Sequence, residues 1–180
     1  HAQKNVVMAG GVALNCLTNG RIKQEGYNVY VPNFMGDAGV SLGAALETFS
    51  NIKSCYCLNI KEANFGFKYY IKPSLLRRLI DCKITNLDYK IIADDLAKNK
   101  IVGIFRGGFE FGPRALGNRS ILANPAQEDF KREINLLKQR ESWRPFGCMV
   151  LKKHMSQIVH SKQFDAPFMN IAMMVKGNKI

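Results

Sequence analysis

The stretch Phe109–Ser120, with the sequence FEFGPRALGNRS, places Arg114 and Arg119 five residues apart in a loop with glycines and a proline. Apolar runs precede and follow it, Ile101–Phe105 and Ile121–Ala123. Runs of this length are typical of strands, so both ends of the loop are expected to be anchored in a core. A guanidinium offers a planar fork of donors that suits carboxylate or phosphate oxygens. The stretch therefore predicts an anion-binding loop rather than a surface turn with two solvated arginines.

The first fifty residues predict a second glycine turn in a βαβα pattern. A short apolar run, Val6–Ala9, ends in Gly10-Gly11, and a helix-compatible stretch then continues to Gly26. Tyr27–Val31 has the alternation of a strand, and Ser41–Phe49 reads as a helix of small residues. A glycine turn after a strand exposes backbone N–H groups to phosphate, although the glycine spacing is that of neither a Rossmann nor a Walker motif.

The rest of the chain predicts a linker and a second α/β unit. Periodicity is absent from residues 51–73, so we expect domains at residues 1–50 and 74–180 with a linker between them. Asn124 is predicted to cap the second helix of the later domain, with Pro125 in its first turn. The predicted elements are, in order, a helix at Tyr89–Ala97, strands at Ile101–Phe105 and at Ile121, a helix at Pro125–Gln139, and strands at Met149–Leu151 and Asn170–Val175.

Composition limits the class of protein. With 180 residues, 47% of them hydrophobic, the chain can bury a core. It shows no membrane-spanning apolar run, and residues 1–5 do not resemble a signal peptide, so we expect a soluble, cytoplasmic protein. Its five cysteines form no CxxC pair, which favours reduced thiols. The net charge of +12 suits anionic partners. Nucleic acid is not favoured, because the lysines are dispersed and no nucleic-acid motif occurs.

Four motifs together resemble the NodU/CmcH-type O-carbamoyltransferases, and they follow one another in that family's order. They are Ala9–Asn15, Gly36–Gly39, Gly112–Ser120, and Arg140–Glu141 with Trp143–Phe146. The resemblance implies an α/β fold in two parts: a partial ASKHA (actin-like ATPase) half-domain, followed by a YrdC-like twisted α/β domain. In that family the first domain carries iron and accepts the hydroxyl substrate, and the second makes carbamoyl-adenylate.

The function implied is that of a fragment of an ATP-dependent O-carbamoyltransferase, which uses carbamoyl phosphate and ATP and carbamoylates a hydroxylated small molecule. Iron or another divalent metal is expected in a longer parent, with none retained by this fragment. One departure is Gly108, where the family usually has an arginine for which Arg106 could substitute. The implied roles are catalysis for Arg114, Arg119 and Arg144, substrate binding for Arg106, Glu110, Asn118 and Ser120, nucleotide binding for Gly10, Gly11, Val12 and Asn15, and metal binding for Asp37.

Two other functions remain open at this point. The same two domain types serve tRNA threonylcarbamoyladenosine synthesis as separate proteins, and the positive charge would suit RNA. A noncatalytic anion-binding module is the other alternative, because the histidine pair of the family's iron site has no counterpart here and the family's downstream segment lies beyond Ile180. Self-association is a further expectation, since a half-domain would leave apolar surface exposed.

Overall fold

The structure is a computed structural model, and it describes residues 4–52, 63–76, 78, 83, 85–160 and 166–177. The chain divides into two compact units, neither of which is continuous in sequence. The first unit comprises His1–Phe65, Glu110–Leu116 and Met149–Lys179, and the second unit comprises Gly66–Phe109 and Gly117–Cys148 with Ile180. The loop Phe109–Ser120, called the arginine loop below, is therefore divided: Glu110–Leu116 lie in the first unit, and Phe109 and residues 117–120 lie in the second. The domain bounds predicted from the sequence remain a prediction.

The described elements form a mixed α/β structure with two small sheets, which confirms the α/β class. The pair β1–β2 is parallel and the pair β3–β4 is antiparallel. Two 3₁₀ helices lie at Gly11–Leu14 and Lys152–His154. In chain order the strands and α-helices are β1 (Asn5–Val7), α1 (Cys16–Gln24), β2 (Asn28–Tyr30), α2 (Gly39–Ile52), α3 (Pro73–Leu76), α4 (Tyr89–Ala97), β3 (Val102–Phe105), β4 (Arg119–Leu122), α5 (Phe130–Leu137) and α6 (Met155–Ile158).

The first unit is built on the β1–α1–β2 crossover. Asn15 caps α1, with its side-chain oxygen accepting a hydrogen bond from Thr18 N at 3.1 Å. After the helix, Gly26 adopts φ 88°, a left-handed conformation that favours glycine and turns the chain into β2. The apolar core lies beneath this crossover and is small. Its buried members are Ala13, Val29, Val31 and Met35, with Met8, Leu14 and Ile22 packed against them.

Buried asparagines join the three segments of the first unit. Asn19 is fully buried, and its amide nitrogen donates to the carbonyl oxygens of Ala13 and Asn170, both at 2.8 Å. The amide of Asn170 donates in turn to Val31 O. Asn33, also buried, donates to Phe111 O. These bonds attach segments about a hundred residues distant to the β1–α1–β2 crossover.

The second unit combines the β3–β4 hairpin with α4 and α5. Val102 pairs with Leu122 and Phe105 with Arg119 in the hairpin. Asp88 caps α4 by accepting a hydrogen bond from Lys90 N at 2.8 Å. Asn135 of α5 is fully buried and donates to the carbonyl oxygens of Ser142 and Arg144, each at 3.1 Å. The loop that follows α5 is therefore held by a helix side chain.

Most predicted elements are confirmed within one to three residues, but the helix predicted at Pro125–Gln139 is too long at its start. The side-chain oxygen of Asn124 accepts from Ala126 N at 3.0 Å and closes a turn, and α5 begins only at Phe130. In an Asx turn and in a helix N-cap alike, the Asn side-chain oxygen accepts a bond from a nearby backbone N–H. The local sequence therefore does not distinguish the turn from the start of a helix.

The strands predicted at Met149–Leu151 and Asn170–Val175 are wrong. Neither segment forms a strand, and the later one contributes only an isolated bridge between Val175 and Val159. Its backbone pairs irregularly, with Ala172 N donating to Cys16 O at 2.9 Å. Apolar composition alone does not make a strand when no neighbouring strand is in register to pair with it.

Part of the predicted linker, residues 51–73, is paired with the arginine loop. Gly66 N donates to Phe109 O at 3.0 Å, and Phe109 N donates to Phe67 O at 3.1 Å. Residues 53–62, with Cys55 and Cys57, lie outside the described part of the chain, as does Cys82. Among the helices that the structure describes, none has the length and apolar character needed to cross a membrane.

The asparagine contacts predict a stability change confined to one unit. Replacing Asn19 with alanine leaves the carbonyls of Ala13 and Asn170 without their donor, so the free energy of unfolding of the first unit should fall by about 2–4 kcal/mol. Hydrogen exchange of the α1 amides measures this. Asn51→Ala, at an exposed position of α2, is the control, and equal exchange rates in the two variants would contradict the prediction.

Candidate anion-binding site

The glycine turn of the first unit presents open backbone to a ligand. Gly10 has φ 85°, and a Cβ added to Gly10 or Gly11 would meet nothing within 4 Å. The turn follows β1 and leads into the 3₁₀ helix, where Val12 is 75% exposed. The positive φ requires glycine at Gly10, and the absence of side chains lets another molecule approach the peptide groups closely. Asn15 lies beyond the turn as the cap of α1.

Arg114 contacts the end of the 3₁₀ helix that follows this turn, although one hundred residues separate Arg114 from Leu14 in sequence. Its Nη2 donates to Leu14 O at 3.1 Å, and both residues belong to the first unit. Its Nε is buried and has no hydrogen-bond partner among the described residues. An N–H of a charged group that is buried and unpaired is costly, so this atom has unused capacity for an acceptor. The turn and a guanidinium thus form one candidate site.

The segment that carries Arg114 is fixed by contacts of its own. Gly112 has φ 114°, and a Cβ there would lie 2.6 Å from Asn33 O, so only glycine fits. The ring of Phe111 lies between those of Phe34 and Phe65, at centroid distances of 5.9 and 5.5 Å. Arg114 is therefore held on a rigid segment rather than a mobile loop.

Glu110 closes the segment, since its Oε1 accepts a hydrogen bond from Leu116 N at 2.7 Å. The Glu110 carboxylate therefore stabilises the backbone of the loop. Its predicted role in substrate binding remains a prediction.

The second half of the loop lies in the second unit, where the structure brings the other loop residues together. Arg106 Nε donates to Gly117 O at 3.0 Å, and the amide of Asn118 donates to Gly108 O at 3.3 Å. Ser120 Oγ accepts from Gly117 N at 2.9 Å. Asn118 is 9% exposed, whereas Arg106 is exposed. Three of the four residues predicted to bind substrate, Arg106, Asn118 and Ser120, thus form one cluster around the end of the hairpin.

Arg119 is at the centre of that cluster. Its Cζ lies 3.7 Å from the ring centroid of Phe105 and 4.8 Å from that of Phe109. Its terminal nitrogens donate to backbone carbonyls of residues 106–107 and 118. The two aromatic rings were not among the predicted site residues. Their spacing in sequence gives no signal of this role, because it depends on how the hairpin folds back.

Arg144 is engaged by a neighbouring carboxylate. Its Nε lies 2.7 Å from Glu141 Oε2, and both side chains are about half exposed. The backbone N–H of Glu141 and the guanidinium of Arg144 together hold the pKa of the Glu141 carboxyl below its usual range. An exposed pair of this kind is weak, so an anionic ligand could displace the carboxylate.

The predicted convergence of three arginines remains a prediction. Arg114 belongs to the first unit, whereas Arg119 and Arg144 belong to the second. Within the second unit no described hydrogen bond or ion pair joins Arg144 to the loop cluster. What the structure brings together is Arg114 with the glycine turn, and Arg119 with Arg106, Asn118 and Ser120.

The described residues do not form a metal site. Asp37 is exposed just before α2, and no group of three or more His, Cys, Asp or Glu side chains among the described residues is placed to share an ion. A single carboxylate is an incomplete ligand set for iron. The predicted role of Asp37 in a longer parent remains a prediction.

Comparison with known proteins places the chain in a family. The model described as Carbamoyltransferase N-terminus matches residues 1–46, and the one described as Carbamoyltransferase C-terminus matches residues 93–180. The chain belongs to the carbamoyltransferase family. This confirms the resemblance to the NodU/CmcH-type enzymes, and the two matched regions contain both the glycine turn and the arginine loop.

Relatives in this carbamoyltransferase family match nearly all of the chain. An uncharacterized protein of Methanocaldococcus jannaschii is 37% identical over 98% of this chain and 35% of its own length. Nodulation protein NolO of Bradyrhizobium diazoefficiens is 33% identical over 96% of this chain and 34% of its own length. The 3'-hydroxymethylcephem-O-carbamoyltransferase of Streptomyces clavuligerus is 28% identical over 90% of this chain and 31% of its own length. The chain thus spans about a third of the length of these relatives.

The Glu141–Arg144 pair predicts a specific pH dependence. Because the folded-state pKa of Glu141 is lowered, its ionised form is favoured by folding; this contribution is present above the unfolded pKa and is lost as the pH falls through the folded pKa. The carboxyl carbon of Glu141, followed by NMR, should show a pKa below the usual range of a glutamate. Arg144→Gln should raise the midpoint, because one of the groups that lower it is gone.

The control for this titration is Arg132→Gln, which removes a charge from an exposed position of α5. It should leave the Glu141 midpoint unchanged. Equal shifts in both variants would show that net charge, and not the pair, sets the midpoint.

Proposed function

We propose that the chain is part of an ATP-dependent O-carbamoyltransferase that forms carbamoyl-adenylate from carbamoyl phosphate and ATP and passes the carbamoyl group to a hydroxyl of a small molecule. The observation that carries this proposal is the hydrogen bond from Arg114 to Leu14 O. It supports the proposal because it joins a guanidinium of the arginine loop to the 3₁₀ helix that follows the open glycine turn, within one unit. A charged donor next to accessible backbone is suited to phosphate oxygens.

The family supports this assignment of the reaction. One relative is named for O-carbamoylation of a hydroxymethyl group on a cephem, so a hydroxylated small molecule is the class of acceptor that we propose. We also propose the finer fold assignment, an ASKHA half-domain and a YrdC-like domain. The parallel β1–α1–β2 crossover with its glycine turn supports the first part, and the mixed α/β second unit is compatible with the second.

The substrates of the proposed reaction are anions, and the chain supplies cationic side chains that would stabilise the negative charge developing on the leaving group. ATP, carbamoyl phosphate and water would give carbamoyl-adenylate, pyrophosphate and phosphate. Water would first cleave carbamoyl phosphate to carbamate and phosphate. A carbamate oxygen then bonds to the α-phosphorus as the bond from that phosphorus to pyrophosphate breaks. Negative charge then accumulates on pyrophosphate, and fixed guanidinium groups stabilise it without covalent chemistry. In the second step the acceptor hydroxyl attacks the carbamoyl carbon and AMP leaves.

The roles of individual residues follow from their available donors. Gly10 and Gly11 let phosphate approach the backbone, and Arg114 offers the unpartnered Nε. In the second unit Arg106 is the exposed arginine of the loop cluster, with Nε bound to Gly117 O. Arg144 becomes available when an anion displaces Glu141. We propose these contacts as the anion ligands, and no step is assigned to a metal.

Arg114 provides the most direct test of nucleotide binding. Arg114→Gln keeps a donor for Leu14 O but removes the positive charge, so it should weaken ATP binding about 10- to 150-fold, which corresponds to about 1.5–3 kcal/mol. Calorimetric titration with ATP measures this. Arg132→Gln removes an equal charge at an exposed position and should bind as the unsubstituted chain does. An unchanged affinity in Arg114→Gln would contradict the proposed site.

Catalysis is tested separately from binding. Incubating the chain with ATP and carbamoyl phosphate should release pyrophosphate, and omitting either substrate should abolish the release. Binding without pyrophosphate release would favour the noncatalytic anion-binding module instead. The tRNA-modification alternative rests on the two domain types that it would share and on the net charge of +12, and no contact in the described part of the chain favours it.

A further inference from the structure

Three successive carbonyl groups at the end of β3 are held by two neighbouring residues. The oxygens of Arg106 and Gly107 accept from Arg119, and the oxygen of Gly108 accepts from the Asn118 amide at 3.3 Å. The backbone bond from Arg106 N to Asn118 O, 2.9 Å long, adds a fourth connection. Gly107, with φ 59°, allows the turn that makes this possible. The turn at residues 106–108 is thus immobilised by Asn118 and Arg119.

Of the five N–H groups of Arg119, three donate to backbone carbonyls of residues 106, 107 and 118, and Nε is buried. Nη1 donates to Arg106 O and, at 2.9 Å, to Asn118 O, so both of its N–H groups are engaged. Nη2 donates one N–H to Gly107 O at 3.4 Å. A bidentate grip on phosphate or carboxylate through the two terminal nitrogens needs one free N–H on each of them. Nη1 has none, so Arg119 cannot grip an anion end-on without releasing the turn.

The aromatic rings reinforce this arrangement. The guanidinium lies against the rings of Phe105 and Phe109, which restrict its rotation and contribute cation–π attraction. Phe105 is in β3 and Phe109 is paired with Gly66 and Phe67, so both rings belong to ordered backbone. Arg119 is therefore fixed from both sides as well as through its hydrogen bonds.

Arg106 has the complementary arrangement. Its backbone is held by Arg119 and Asn118, and its side chain is anchored only through Nε, which donates to Gly117 O at 3.0 Å. The residue is exposed, and no described hydrogen bond engages its Nη1 or Nη2. Its end-on fork is therefore presented to solvent on an immobilised base, which is the preorganisation that anion binding favours.

We propose that Arg119 is a positioning residue that orients Arg106, and that the guanidinium of Arg106 is the one that grips the phosphate or carboxylate of the substrate. This inference rests on the proposed function for the nature of the ligand, but the positioning itself does not. The two arginines then have different roles: Arg119 holds the turn in a fixed geometry, and Arg106 contacts the anion.

The positioning is tested without any ligand. In the ¹⁵N-labelled chain the Nε–H signal of Arg106 should be protected from exchange by its bond to Gly117 O. Arg119→Lys keeps the charge over the Phe105 ring but loses the planar fork, so the protection should fall about tenfold or more. The α5 amides should exchange as before, which shows that the unit remains folded. An Arg106 signal unaffected by Arg119→Lys would overturn the inference.

The role in binding is tested by a double-mutant cycle with inorganic pyrophosphate as the probe. Arg119→Lys and Arg106→Gln should each weaken pyrophosphate binding about tenfold. If Arg119 acts through Arg106, adding Arg119→Lys to Arg106→Gln should cost no more than about a further twofold. Losses that multiply to about a hundredfold would identify Arg119 as an independent ligand and overturn the inference.

The control and the remaining outcomes separate this inference from the proposed function. Arg132→Gln, away from the loop, should bind pyrophosphate as the unsubstituted chain does. Normal binding by Arg106→Gln would overturn the inference, because the grip would then lie elsewhere. If no protein in the series bound pyrophosphate while Arg119→Lys still released the Arg106 Nε–H, the proposed function would be wrong and the positioning contact would stand.

Discussion

The structure depends above all on side-chain amides of buried asparagines that donate to backbone carbonyls of distant segments. Asn19 donates to the carbonyl of Ala13, before α1, and to that of Asn170. Asn33, which follows β2, donates to the carbonyl of Phe111. In the second unit Asn135 holds the loop after α5. A small apolar core leaves many loop carbonyls to be satisfied, and each buried one without a donor would cost about 1–3 kcal/mol. Asparagine is short enough to reach the backbone without filling the core.

These contacts are what bring functional groups together. The Asn33–Phe111 bond and the left-handed Gly112 hold the segment that carries Arg114, and that segment then delivers a guanidinium to the glycine turn. A charged side chain on a loop held in this way loses little further entropy on binding. The neutral amide network therefore positions the segment that carries Arg114.

Within the arginine loop, similar side chains serve different ends. Arg114 donates to Leu14 O in the first unit, and Arg106 keeps its terminal nitrogens outside the described hydrogen bonds, whereas Arg119 directs its terminal nitrogens to backbone carbonyls. A guanidinium between aromatic rings is well suited to a fixed structural contact, because its planar fork is rigid and its charge is stabilised by the ring faces. The arginine loop lies within residues 93–180, the region that matches the C-terminal carbamoyltransferase family model.

The sequence by itself determined the α/β class, most of the helices and strands, the glycine turn and the carbamoyltransferase resemblance, because periodicity, capping residues and short motifs are local in sequence. It did not determine the true start of α5 at Phe130 or the irregular backbone at Asn170–Val175. Only the tertiary structure decided which backbone carbonyls each arginine contacts. Arg114 and Arg119 look alike in sequence, but their partners, Leu14 and the Arg106 turn, are chosen by chain segments that meet only when the protein folds.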